Sequence, residues 1–213
     1  METLKVLSID VGITNLGYIY AKLSFNVPDS GSKFKNLALN TFENFNKKDL
    51  VVLDCGRVDI TNVQHRKVPF CECKLLHDLC IPDYVDHFVQ EHNSFEECDI
   101  LLIERQPPAG ITNVQDLLFT NFRNKVKLLN PNSFHVYFNF SNDYLVRKTQ
   151  SEDIANEYLS NFFNYRVNER KHDISDALIM TIYYHKIHMD KLIRNTCYTN
   201  LVDTFDQFKF KAF

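Results

Sequence analysis

Two apolar runs in this chain each stop at an acid. Val6, Leu7 and Ile9 lead into Asp10, and Ile100-Leu101-Leu102-Ile103 lead into Glu104. Such runs fit strands buried on both faces. A carboxylate there is costly unless a cation or a hydrogen-bond network meets it. Taken singly, Asp10 also reads as a strand-end acid capping the turn at Gly12, and Glu104 is unremarkable. A third element carries two more acids, Asp173 and Asp176, in Lys171-His172-Asp173-Ile174-Ser175-Asp176-Ala177-Leu178-Ile179-Met180. Their spacing of three puts both on one helix face. The apolar residues after them point that helix into the core. Acids also suit a solvated helix start, but four such carboxylates together favour a shared divalent-metal site.

The positioning elements follow from pattern. Leu16–Leu23 reads as an antiparallel return strand, and Leu50–Leu53, carried on by Val58 and Ile60, as a third strand. Residues 24–50, with Pro28, Ser30, Gly31 and Ser32, read as a loop-rich excursion. Leu75, Leu76, Leu79, Val85, Phe88 and Val89 recur at helical spacing, with Pro82 kinking or splitting the segment. Pro107 and Pro108 end the strand at Glu104. Ile111, Val114, Leu117, Leu118, Phe122 and Val126 predict a helix. Strict alternation of Phe134, Val136, Phe138 and Phe140 predicts a fifth strand. Thr149-Gln150-Ser151-Glu152 has capping-box spacing and predicts a helix start, with Arg147 and Lys148 just upstream. Cations beside free helix amides suit an anion such as phosphate, or are simply solvated.

Composition limits the class. The 213 residues, 45% hydrophobic and 24% charged, suffice for one domain with an insertion and a full core. Eighteen Phe and ten Tyr with no Trp predict an aromatic-rich core. A net charge of −3 argues weakly against nucleic acid, but acids crowd the first half and cations such as Arg123, Lys148 and Arg170 the second. Met1–Lys5 runs straight into the first strand, leaving no room for a signal or transit peptide, and no apolar stretch is long enough to span a membrane. A cytosolic protein with reduced thiols is expected.

Residues 65–80 hold His65, Cys71, Cys73, His77 and Cys80. Cys71, Cys73, His77 and Cys80 could in principle offer four zinc ligands. Their spacing fits no standard Cys-x2-Cys pair, so buried free thiols are the reading preferred over zinc.

The order of elements is three strands, helix, strand ending in Glu, helix, strand, helix, and a helix bearing Asp-x-x-Asp. With Ser-Ile-Asp-Val-Gly-Ile-Thr-Asn-Leu at 8–16 and Ile-Glu-Arg-Gln at 103–106, it resembles the RuvC-like Holliday junction resolvases of the ribonuclease-H-like superfamily, in their poxvirus and large-DNA-virus branch. The resemblance implies an α/β, ribonuclease-H-like fold: a central mixed five-stranded sheet flanked by helices. It implies a nuclease domain over 1–192; the loop-rich insertion near 24–50, the Cys/His cluster and the aromatic-rich tail over 193–213 depart from the family's pattern. It makes Asp10, Glu104, Asp173 and Asp176 the metal ligands for two Mg²⁺ or Mn²⁺ ions, and Lys148 the active-site lysine. Arg105, Arg147, Lys148 and Lys171 become phosphate contacts to four-way or branched DNA. A homodimer joined through the helix from Ile111 is implied, with no membrane and no nucleotide cofactor, in infected-cell cytoplasm or a virion. Two rivals stand beside it. One is a non-catalytic branched-DNA-binding protein. The other is an actin-like or sugar-kinase ATP-binding protein, suggested by Asp-x-Gly-x-Thr but lacking a second lobe.

Overall fold

The computed structural model describes residues 2–26, 45–67, 69, 72–75, 77 and 80–209, with side chains as far as Asn195. The centre is a mixed sheet of β1 (Glu2–Asp10), β2 (Leu16–Phe25), β3 (Leu50–Val58), β4 (Ile100–Glu104) and β5 (Val126–Leu129), in the order β3-β2-β1-β4-β5. β1 runs antiparallel to β2 and parallel to β4, and β5 is parallel to β4. The excursion between β2 and β3 falls largely on residues 27–44, outside the described residues.

Both faces of β1 are covered, which is why its sequence reads as a nearly unbroken apolar run. Side-chain alternation sends Val6 to one face with Ile19, Leu102, Ile174 and Leu178. Leu7 and Ile9 go to the other, with Tyr84, Val85, Phe88, Leu101 and Val114. The first face is closed by α5 (Tyr144–Leu159) and α7 (Lys171–Lys209). The second is closed by α1 (Ile81–Glu91) and α3 (Thr112–Asn121). Short helices α2 (Ser94–Glu97), α4 (Pro131–Tyr137) and α6 (Phe163–Arg166) fill the corners.

Two contacts set α7 against the sheet. Buried Ser8 and Thr181 hydroxyls meet at 2.6 Å, and Thr181 also donates to the Ala177 carbonyl. At Gly17 the helix backbone comes so close that a Cβ would lie 2.0 Å from the Asp173 carbonyl oxygen. Only glycine fits there.

Four elements differ from expectation. Phe134–Phe140 contributes no strand: Pro131–Tyr137 is helical, with Asn130 capping the Asn132 amide and Pro131 in the first turn. Phe134 and Phe138 are buried one turn apart, while Val136 is 79% exposed. The fifth strand is Val126–Leu129 instead, so Val126 leaves the preceding helix. α5 begins at Tyr144, not Thr149, because the Asp143 carboxylate accepts from the Val146 amide at 3.0 Å. Arg147 and Lys148 therefore ride inside the helix. Pro82 sits in the first turn of α1 and starts that helix rather than kinking it.

Overpacking of this kind costs about 1–3 kcal/mol. Gly17→Ala is thus expected to lower the urea midpoint of unfolding by that equivalent, and an unchanged midpoint would contradict the contact at Asp173.

A candidate metal centre at the sheet edge

Parallel pairing of Ile9 with Ile103 brings the last residues of β1 and β4 side by side, so Asp10 and Glu104 leave the sheet at the same edge. Ends of adjacent parallel strands are the usual place for a site in such sheets. On the other side of β1, Asp10 pairs with Gly17, and Gly17 is where the α7 backbone presses at Asp173. The first two turns of α7 therefore deliver Asp173 and Asp176 to the same edge. Four acids distant in sequence converge because one glycine admits the helix.

Their charges interact strongly. The Asp10 carboxyl is held well above its usual range by burial first, then by repulsion from Asp176 and Glu104, with Asp173 adding to it. Glu104 is raised by burial and by Asp176, and a hydrogen bond with Asp10 partly offsets this. Burial opposes the Lys148 ammonium, yet the neighbouring Asp176 and Asp10 keep its pKa raised. Lys148 donates a hydrogen bond to Asp176 Oδ2. Arg170 Nε donates to Asp173 Oδ2 at 3.0 Å. His172 lies between Asp173 Oδ1 at 3.2 Å and Glu152 Oε1 at 3.6 Å, so it is a partly covered neighbour of the acids and not a solvent-facing ring.

The five catalytic candidates thus share one edge. Lys148, projecting from the second turn of α5, is the cation among them. Of the other predicted contacts, Arg147 reaches the Ser141 and Asn142 carbonyls at 3.4 and 3.5 Å, beside the Tyr144 ring. Lys171 lies over the Tyr165 ring, and Arg105 is exposed just past Glu104. Gly17 and Arg170 were not singled out by the sequence. Arg170 had a signal, its position just ahead of the helix and three residues before Asp173. Gly17 had none, because its role depends on what packs against it.

All-oxygen donors gathered at one edge, with Lys148 and Arg170 hydrogen-bonded to the helical pair, suit a hard divalent ion. Deleting one of these charges should stabilise the metal-free chain. Asp10 and Glu104 keep protons in the folded state that the unfolded chain releases. Metal-free stability therefore falls as pH rises above their ordinary values of 3.8 and 4.5. In chelator at neutral pH, Asp10→Asn is expected to raise the melting temperature by about 2–4 °C. A lower value would contradict the repulsion.

No protein-family model and no curated protein matches the sequence. Solved structures do match. The fowlpox virus resolvase in complex with its substrate Holliday junction DNA aligns with TM-score 0.55 and 15% identity, over 87% of this chain and 99% of that one. The yeast mitochondrial Holliday junction resolvase Ydc2 aligns with TM-score 0.59 and 15% identity, over 92% of this chain and 86% of that one. The chain has the resolvase fold. A second structure of the fowlpox virus Holliday junction resolvase gives TM-score 0.52 at 15% identity. Among the described residues, no helix is long and apolar enough to cross a membrane.

Proposed function

We propose that this protein is a metal-dependent endonuclease that resolves four-way DNA junctions by paired, symmetrical nicks. The observation that carries the reading is the convergence of Asp10, Glu104, Asp173 and Asp176 beside Lys148. They meet at the edge of a sheet whose fold is shared with Holliday junction resolvases. Those four carboxylates would hold Mg²⁺ or Mn²⁺, two ions per site. When bound, the ions supply an activated water and offset charge on the leaving 3′ oxygen.

The side chains do the rest. Lys148, paired with Asp176, would meet the scissile phosphate and limits repulsion among the acids. Arg170 and His172 hold Asp173 in position from the outer side. Arg105, Arg147 and Lys171 surround the acids with cations for flanking phosphates, giving shape-directed binding with little base readout. A junction has two-fold symmetry, so a C2 homodimer suits paired nicks. Residues of α3 are our candidate contact, with Ile111 before it 38% exposed. A viral protein acting in infected-cell cytoplasm or a virion remains the preferred setting.

Asp10→Asn is expected to cut the nicking rate of a synthetic four-way junction in Mg²⁺ more than about a hundredfold, with junction binding retained. Binding alone by the unaltered protein would favour a non-catalytic role, and ATP turnover would favour the kinase-like reading. Four phosphate contacts also predict that doubling the salt weakens junction binding about tenfold. Salt-insensitive binding would remove those contacts from the proposal.

A further inference from the structure

Away from the acidic edge, three imidazoles crowd together where the chain leaves the sheet. The ring centre of His87 lies 4.1 Å from that of His65 and 4.6 Å from that of His77, and the His65 and His77 rings are 5.7 Å apart. Cys73 joins them, its Sγ 3.2 Å from His77 Nε2. The ligand atoms of His65, Cys73 and His77 all lie within 4.8 Å of one another. Ligands of a tetrahedral zinc ion, bound at roughly 2.0–2.3 Å, sit about 3.3–3.8 Å apart, so small side-chain adjustments close these three, and His87, whose ligand atom lies within 4.8 Å of those of His65 and Glu91, turns further to join them.

His87 supplies the independent sign that the cluster serves a ligand. It is 3% exposed, and its Nε2 makes no hydrogen bond. The nearest acceptor is Glu91 Oε1 at 3.7 Å, too long for one. A buried, unsatisfied ring nitrogen is costly unless something else meets it. Glu91 is already engaged, since its Oε2 accepts the Arg66 and Lys67 amides at 2.6 and 3.1 Å.

We propose that His65, Cys73, His77 and His87 bind one structural zinc ion, His87 through its unsatisfied Nε2. The donor set of one thiolate and three imidazoles selects zinc over the hard ions suited to the acidic edge. It differs from the quartet weighed on spacing. Cys71 lies outside the described residues, and Cys80 precedes α1 in a separate cleft with Asn113 and Leu117. The ion would pin the crossing between β3 and α1. Between Asn62 and Ile81 the described residues there hold no strand or α-helix, only a local turn at Glu72. That crossing also braces the centre, because Ile60 donates to the Ile13 carbonyl in the turn after Asp10. The inference stands on its own geometry and does not depend on the nuclease reading.

Elemental analysis of the untagged full chain, purified without chelator and dialysed against Mg²⁺, should find about one zinc per chain. Asp10→Asn should retain it, while Cys73→Ser and His65→Ala should lose it. Should those variants fail to fold, cobalt substitution of the unaltered chain decides the matter. A thiolate-to-cobalt charge-transfer band with intense tetrahedral visible bands supports the site. Zinc below about 0.1 per chain together with no such band overturns it. So does zinc that survives in a folded Cys73→Ser, His65→Ala double variant.

Discussion

Everything at the acidic edge depends on how near a helix can come to a strand. Asp10 and Glu104 are brought together by strand pairing, which the backbone ladder enforces whatever the side chains are. Asp173 and Asp176 have no such ladder. They arrive because Gly17 leaves no Cβ in the way and because Ser8 and Thr181 fix where along β1 the helix stops. Repulsion among the acids works against this packing, and the apolar length of α7 opposes it: Ile174, Ala177, Leu178, Ile179, Met180 and Ile182 are all fully buried. Burial worth roughly 1.5–3 kcal/mol for each large side chain outweighs a few unfavourable charge contacts.

Distribution of charge around those acids is uneven in a useful way. Lys148 serves Asp176 and Arg170 serves Asp173, so the two helical acids each have a partner. Asp10 and Glu104 face one another, and both are pushed toward the protonated form. The strand acids are thus the unstable half of the group, a stability cost concentrated at the proposed metal site.

Much of this was legible in the residues. An apolar run ending abruptly in an acid located Asp10 and Glu104, and the spacing of Asp173 and Asp176 before Ala-Leu-Ile-Met located the helix that faces them. Other parts were not. Phe134, Val136, Phe138 and Phe140 alternate, yet Phe134 and Phe138 are also one helical turn apart, and the Asn130-Pro131 start signal decided for helix. Thr149-Gln150-Ser151-Glu152 mimicked a helix start inside a helix already capped by Asp143 and begun at Tyr144. His87 was not singled out by the sequence. Its nearness to His65 and His77 belongs to the tertiary fold, which local spacing does not encode.

The sheet order also dictates a sequence of events in time. β1, β2 and β3 form a meander whose first pairing joins near neighbours, Asp10 with Gly17 among them. β1 and β4 are joined only across a long stretch of chain, as the Lys5 amide bonding the Asp99 carboxylate 94 positions away makes plain. Closing so large a loop is slow compared with zipping a hairpin. The acidic edge is consequently assembled late, after the meander has collapsed, and a nascent chain still short of β4 holds only one of its strand carboxylates.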